Sequence, residues 1–455
     1  MGPGVPGTLC HSAAGVSMYR INLHLLFTLL VVGGCSDSAE RGAALSGSDA
    51  CSIDAQKQFV LQAMRDVYYW NELLPADVDP AAFASAEELL AHLVSFQPLD
   101  DFSYIDLAAN DAQFFAAGQY VGYGFSSRFE DADELRFTRV FSSSPAAQAG
   151  FARGQRIVML NGRSIADIEA NEGVDELFSL ATLEFTLQRP DGSEFTAQVD
   201  HGLVTIDPLP QWRIIDRADG TSVGYLELAA FVSTADAEFE AIFAAFRQAN
   251  VADIVIDLRY NGGGLVSTTE LLGDYLGGAV ASDLVFSRTL FNANNSFANR
   301  VRFFQRLLNS PNTSRLVVIA TNRTASASEL IANSMKPHVA VSIVGETTFG
   351  KPVGQIGIEF CEKILRPTAF ESLNANFEGG YFDGIPVDCP ADDDLFVAIG
   401  DAEDPNMVAA LTLLETGACP PVAPGQQQKV QPGAGKLARS LAWRGAPWRR
   451  LAGAW

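Results

Sequence analysis

Ser326 and Lys351 stand 25 residues apart, and Gln355 follows four residues later. The serine sits in T-A-S-A-S-E-L-I-A-N (324–333), the other two in V-G-E-T-T-F-G-K-P-V-G-Q (344–355). A serine hydroxyl is a weak nucleophile at neutral pH and needs an adjacent base. A lysine becomes such a base when burial favours its neutral form. Serine with lysine is one variant of the nucleophile–base–orienter logic, and a glutamine can hold the amine in place. Each residue also has an ordinary use: a serine caps a helix, a lysine sits in solvent, a glutamine makes a routine strand bond. Lysine is scarce here, however. Before residue 421 only Lys57, Lys336, Lys351 and Lys363 occur.

Other chemistries fit less well. Gly345 to Lys351 satisfies G-x-x-x-x-G-K, the opening of a phosphate loop, but Pro352 stands where Ser or Thr must bind magnesium. The residues after it, V-G-Q-I, read as strand and not helix. No S-x-x-K surrounds Ser326 and there is no G-x-S-x-G elbow. Without C-x-x-C spacing a zinc or redox centre is not indicated. His92, His201 and His338 lie in no matching motif, although His338 follows the nucleophile's helix and could lie near it. No metal or organic cofactor is implied.

These residues resemble the nucleophile, base and third member of the carboxyl-terminal processing proteases, a Ser-Lys peptidase family of the S41 type. I-V-I-D-L-R-Y-N-G-G-G (254–264) and G-Y-L-E-L-A-A-F (224–231) match it as well, and the likeness runs over roughly residues 55 to 400. The resemblance implies an α/β peptidase core (ClpP/crotonase-like), an inserted mainly-β PDZ domain and a small helical N-terminal domain. It implies Ser326 at a helix start, with Ala327 N–H as one oxyanion donor and Gly263 N–H as the second, Gly264 being the fallback. Glycine suits that place because backbone can then approach a substrate carbonyl closely. Asp257 and Arg259 are expected to brace the glycine turn, and Glu329 and Glu346 receive no catalytic role. Pro352 departs from the small residue common after the lysine, and the cysteines are not a general family feature.

Gly122-Tyr123-Gly124-Phe125 resembles the carboxylate-binding loop of PDZ domains, where backbone N–H groups meet a peptide C-terminus and the peptide adds a strand. S-P-A-A-Q-A-G (144–150) and G-Q-R-I-V-M-L-N-G (154–162) fit the rest of that module. From about 210 strands and helices alternate, as in a layered α/β domain. Val223–Leu228, Ile254–Leu258 and Leu316–Ala320 read as buried strands, and Ala235–Ala249 and Ser326–Met335 as helices. Residues 285–312 resemble an insertion covering the family's active site. The expected organisation is signal 1–35, linker 36–50, helical domain 51–115, PDZ domain 116–205, peptidase core 206–420 and disordered tail 421–455. The helical domain is expected to be a packing appendage without chemistry.

The formal charge is −23, and residues 35–420 carry 24 basic against 54 acidic side chains, a net of −30. Such a surface repels nucleic acid and anionic membrane faces. Met18-Tyr19-Arg20, the apolar run 23–32 and Val32-Gly33-Gly34-Cys35 have the layout of a secretory signal. Cys35 resembles a lipobox cysteine, with residues 1–17 an over-extended start and Ser36 suiting delivery to a bacterial outer membrane. In an oxidising compartment Cys51, Cys361, Cys389 and Cys419 can pair. Of three possible pairings, Cys361–Cys389 and Cys51–Cys419 are the ones expected. The expected partners are protein or peptide substrates, with membrane association through the lipid. A non-catalytic PDZ-containing envelope scaffold binding peptide C-termini is the alternative.

Overall fold

The computed structural model describes residues 50–421 of the chain. The expected signal, Cys35, nearly all of the linker and the tail beyond 421 lie outside the described residues.

Ser222–Glu227, Asp253–Asp257 and Arg315–Ala320 are adjacent parallel strands at the centre of a six-stranded sheet. Runs this apolar belong in strands covered on both faces. Ala340–Gly345 and Cys389–Pro390 extend the parallel order on one side, and Trp212–Asp216 closes the other side antiparallel. Side chains alternate between the faces of a strand. Ile254, Ile256, Leu316 and Val318 pack with helices Asp236–Gln248, Val266–Gly277 and Ala327–Met335. Val255, Val317 and Ile319 pack with Pro405–Thr416 on the opposite face. The layered α/β core therefore follows from period-two burial.

Three site segments leave the carboxyl ends of neighbouring strands. The glycine run follows Asp253–Asp257, the nucleophile turn follows Arg315–Ala320, and the lysine loop follows Ala340–Gly345. Ligand sites of open α/β sheets gather at such strand ends. Lys351 leads into a short strand, Val353–Gln355, rather than a helix, so its G-x-x-x-x-G-K is not a phosphate loop. That strand joins a second, four-stranded sheet with Thr368–Leu373, Val285–Phe291 and Arg300–Phe303. The last two strands enclose a 3-10 turn over Ala293–Ala298, the strand-rich form taken by residues 285–312.

The N-terminal unit holds helices Ile53–Val67 and Ala86–Val94, capped by Ser52 and Ser85. Val60, Leu61, Met64, Leu89, Leu90 and Leu93 bury one face together with Phe360 and Leu365, which lie just beyond Gln355 in the chain. The strand Tyr104–Leu107 pairs antiparallel with Lys363–Arg366, which in turn forms a hairpin with Ile358–Phe360.

Residues 123–199 have a core of their own, from Tyr123, Phe125, Phe137, Phe151, Phe178 and Phe185. Six strands and the helices Ile165–Asn171 and Val174–Phe178 enclose it. The chain enters and leaves through paired strands Gln119–Gly122 and Gly202–Thr205. Ion pairs fasten this insert to the core: Arg128 Nη1 and Arg153 Nη2 lie 2.8 and 2.7 Å from opposite oxygens of Asp393.

The cysteine pairing differs from expectation. Cys51 bonds to Cys361 and Cys389 to Cys419, with Cα separations of 5.8 and 5.5 Å. Cys361 occupies the tip of the hairpin that packs beneath the N-terminal helices, which brings it to Cys51. Cys389, on the edge strand, lies beside the chain leaving Pro405–Thr416, and so meets Cys419.

Candidate active site

Ser326 precedes helix Ala327–Met335 with φ +55° and ψ −113°. A non-glycine residue there is strained, and such strain concentrates at functional positions. The backbone makes the sharp strand-to-helix turn of a nucleophile elbow. Thr324 and Ser328 stand where the G-x-S-x-G consensus has glycine, so that motif does not mark this turn in the sequence. The whole helix is buried, and its first N–H groups carry the positive end of its dipole. Ala327 N–H donates to nothing among the described residues.

Asn261 seats this turn against the glycine run. Its main-chain oxygen accepts from Ala325 N–H at 3.1 Å and Ser328 Oγ at 2.9 Å. Its side chain donates to Leu228 O at 2.8 Å and accepts from Gly263 N–H at 2.9 Å. That last bond corrects the expected oxyanion donor: Gly263 N–H is engaged in a side-chain turn. Gly264 N–H, the fallback, donates to nothing among the described residues. Gly263 is needed for another reason. It has φ +103°, and a Cβ there would lie 2.8 Å from Ser326 Cβ and 2.9 Å from Ala327 N.

Beneath the glycine run, Arg259 pairs with Asp257 at 2.6 Å and with Asp404 at 2.5 Å, all three buried. These are the bracing bonds expected of Asp257 and Arg259. Asp393 joins them at 3.2 Å. Burial pushes the Asp393 carboxyl up, but Arg153, Arg128 and Arg259 outweigh it and hold it down at about 2.

Lys351 is 8 % exposed. Its Nζ donates to Gln355 Oε1 at 2.7 Å, and the ring of Phe102 lies 5.0 Å away. The structure thus brings Lys351 and Gln355 into direct contact.

Glu329, to which sequence reasoning gave no role, is the joint between the two loops. Its Oε1 accepts from Thr348 Oγ1 at 2.5 Å and Gly350 N–H at 2.7 Å. Its Oε2 accepts from Ser326 N–H at 2.9 Å and Lys351 N–H at 2.8 Å. Burial pushes its carboxyl up, while these four bonds pull the other way without cancelling the rise. The available signal was S-x-x-E at a helix start, which reads as a capping box. Glu346 adds a weaker tie, accepting from Asn322 N–H at 2.9 Å. His338 lies away from this centre, bonded to Val285 O at 2.9 Å and packed on Phe304.

In the insert, Tyr123 and Phe125 are core residues, and Tyr123 O–H donates to Leu180 O at 2.6 Å. Only their backbone can face a ligand. Gly124 has φ +87°, and a Cβ there would lie 2.0 Å from Ser144 Cβ. Phe125–Asp131 is the outer strand of its sheet, with Glu134–Val140 as its single neighbour among the described residues.

The fold is that of a peptidase. It is similar to a putative S41 protease from Bacteroides fragilis NCTC 9343, with TM-score 0.63, 23% identity, and 79% of this chain and 97% of that one covered. The photosystem II D1 C-terminal processing protease matches with TM-score 0.52 and 22% identity over 78% and 97% of the two chains. Residues 222–388 match the model of peptidase family S41 and residues 55–104 that of the peptidase S41 N-terminal domain. These two stretches therefore carry the peptidase S41 domain and its N-terminal domain. Among curated relatives, the chloroplastic C-terminal processing peptidase of Tetradesmus obliquus is 28% identical, over 54% of each protein. Carboxy-terminal processing protease CtpB of Bacillus subtilis is 24% identical, over 56% of this chain and 52% of its own. The chain spans about half the length of the curated relatives it matches.

Proposed function

We propose that this protein is a serine endopeptidase in which Ser326 is the nucleophile, Lys351 the general base and Gln355 the orienting group. The observation that carries the reading is the buried Lys351 amine bonded to Gln355 Oε1, on a loop sharing one carboxylate with the strained turn of Ser326. Ser326 Oγ attacks the peptide carbonyl carbon as Lys351 Nζ takes the hydroxyl proton. The amine then returns that proton to the leaving nitrogen, and water, activated by the same amine, releases the acyl group. Ala327 N–H and Gly264 N–H hold the oxyanion. Loss of one such donor costs roughly 100- to 1000-fold in turnover.

The insert acts as a PDZ module that admits substrate. An extended peptide would add to the open edge of Phe125–Asp131, with its carboxylate at the backbone of residues 122–125. The protein works in a bacterial envelope, held to the outer membrane by lipid on Cys35 and acting on protein or peptide substrates.

The test uses purified soluble protein beginning after Cys35. Ser326→Ala and Lys351→Ala each abolish cleavage of an unstructured peptide, and unchanged turnover in either ends the proposal. Because only the neutral amine accepts a proton, kcat/KM rises with pH into the mildly alkaline range. A flat profile from pH 6 to 9 counts against it.

A further inference from the structure

Gln355 is gripped from its far side by the N-terminal unit. Its amide has an accepting end and a donating end, and what holds one decides what the other presents. Nε2 donates to the main-chain oxygens of Phe102, at 2.5 Å, and Arg366, at 3.3 Å. Both are carbonyls and can only accept, so Oε1 must face the lysine. The Phe102 ring faces the same amine and is itself buried.

Phe102 is held by a loop built around one carboxylate. Asp100 Oδ1 accepts from Phe102 N–H at 3.0 Å, Ser103 N–H at 3.1 Å and Thr368 Oγ1 at 2.9 Å. Its Oδ2 accepts from Ser103 Oγ at 2.6 Å. Ser103 Oγ accepts in turn from Thr368 N–H at 2.9 Å, and Thr368 is the strand partner of Gln355. One buried carboxylate therefore fixes both the carbonyl that holds Gln355 and the strand beside it.

We infer that Asp100 and Phe102 are positioning residues for the lysine–glutamine pair, so that the N-terminal unit completes the base and is more than a packing appendage. The inference rests on the Ser326–Lys351–Gln355 reading above. Asp100 acts through the Phe102 carbonyl on Gln355. The Phe102 ring acts on the amine directly, since an aromatic face favours the charged ammonium form.

The deciding experiment is a double-mutant cycle of Asp100→Asn and Gln355→Ala on peptide cleavage by the soluble protein. In the unaltered background Asp100→Asn lowers kcat about tenfold with little change in KM. In the Gln355→Ala background it costs less than about threefold, because the group it acts through is gone. Equal costs in both backgrounds overturn the assignment of Asp100, as does a Gln355→Ala enzyme with unchanged kcat. If Asp100→Asn fails to fold, Thr368→Val, which deletes one of the four bonds, takes its place in the same cycle. Phe102→Leu keeps the carbonyl and an apolar cover, and it shifts the acid limb of the kcat/KM profile to lower pH by roughly half a unit. An unmoved limb overturns the role of the ring. Ser326→Ala, run alongside, separates the two levels: activity there sinks the catalytic reading itself, whereas an inactive Ser326→Ala with an additive cycle sinks only this inference.

Discussion

Ser326 and Lys351 donate their main-chain N–H groups to the same atom, Oε2 of Glu329, at 2.9 and 2.8 Å. The carboxylate therefore sets the spacing of the proposed nucleophile and base through their backbones. It can accept all four of its bonds only while ionised, because a protonated carboxyl turns one oxygen into a donor.

Glu329→Gln places N–H groups against N–H groups, and kcat falls roughly 10- to 100-fold with KM little changed, since a bond to a charged group contributes about 1.5–3 kcal/mol. The pH response has a definite sign. Burial raises the native pKa of Glu329 above its unfolded value, so the native state takes up this proton at higher pH than the unfolded chain. On acidification through that window, stability contributed by this group rises while activity falls. Urea unfolding and initial rates against pH, wild type compared with Glu329→Gln, would show the opposing trends. Parallel trends would refute the role.

The Asp393 cluster behaves the opposite way in acid. Its carboxyl is held down at about 2 against an ordinary 3.8, so its contribution is complete above about pH 4 and disappears as pH falls through 2. Asp393→Asn leaves Arg128, Arg153 and Arg259 short of an anion and lowers stability at pH 7 by about 3–5 kcal/mol. Circular dichroism against pH should find the wild type losing stability steeply between pH 4 and 2, and the variant lacking that share of the slope.

Much of the core was legible because its signals are local. Ile254–Leu258 and Leu316–Ala320 read as buried strands, and the structure has strands at Asp253–Asp257 and Arg315–Ala320; Ser326, Lys351 and Gln355 keep a spacing that sequence displays directly. What escaped depends on distant partners. Glu329 received no role because its bonds to Thr348, Gly350 and Lys351 form only after the lysine loop folds onto the helix. Phe102 acts on Gln355 through a carbonyl, which no residue type announces. Gly263 was read as a donor because its competitor, the Asn261 side chain, is set by a turn and not by composition.

Cysteine pairing was illegible for the same reason, and it can be checked directly. Peptide mapping of unreduced protein should recover Cys51 with Cys361 and Cys389 with Cys419. The first bridge closes 310 residues and the second 30. Loop-closure entropy makes the longer bridge worth more by about 2 kcal/mol, on a base of roughly 3–4. Cys361→Ser should therefore lower the unfolding midpoint further than Cys419→Ser. The reverse order would mean that the N-terminal unit is held chiefly by its apolar face and its strand pairing.

The strain at Ser326 separates stability from chemistry. At φ +55° and ψ −113° a side chain is costly, by about 1–3 kcal/mol, whereas glycine adopts such a conformation freely. Ser326→Ala keeps the Cβ and hence the strain, while Ser326→Gly removes both. Each variant loses activity for want of the hydroxyl. Glycine also frees the unfolded chain, which offsets part of the gain by about 0.4–1 kcal/mol. The net expectation is that Ser326→Gly unfolds at higher denaturant concentration than Ser326→Ala, by the equivalent of about 1 kcal/mol. If the alanine variant proved the more stable, the turn would be relaxed, and Ser326 would have to be held in place by its bonds to Glu329 and the helix alone.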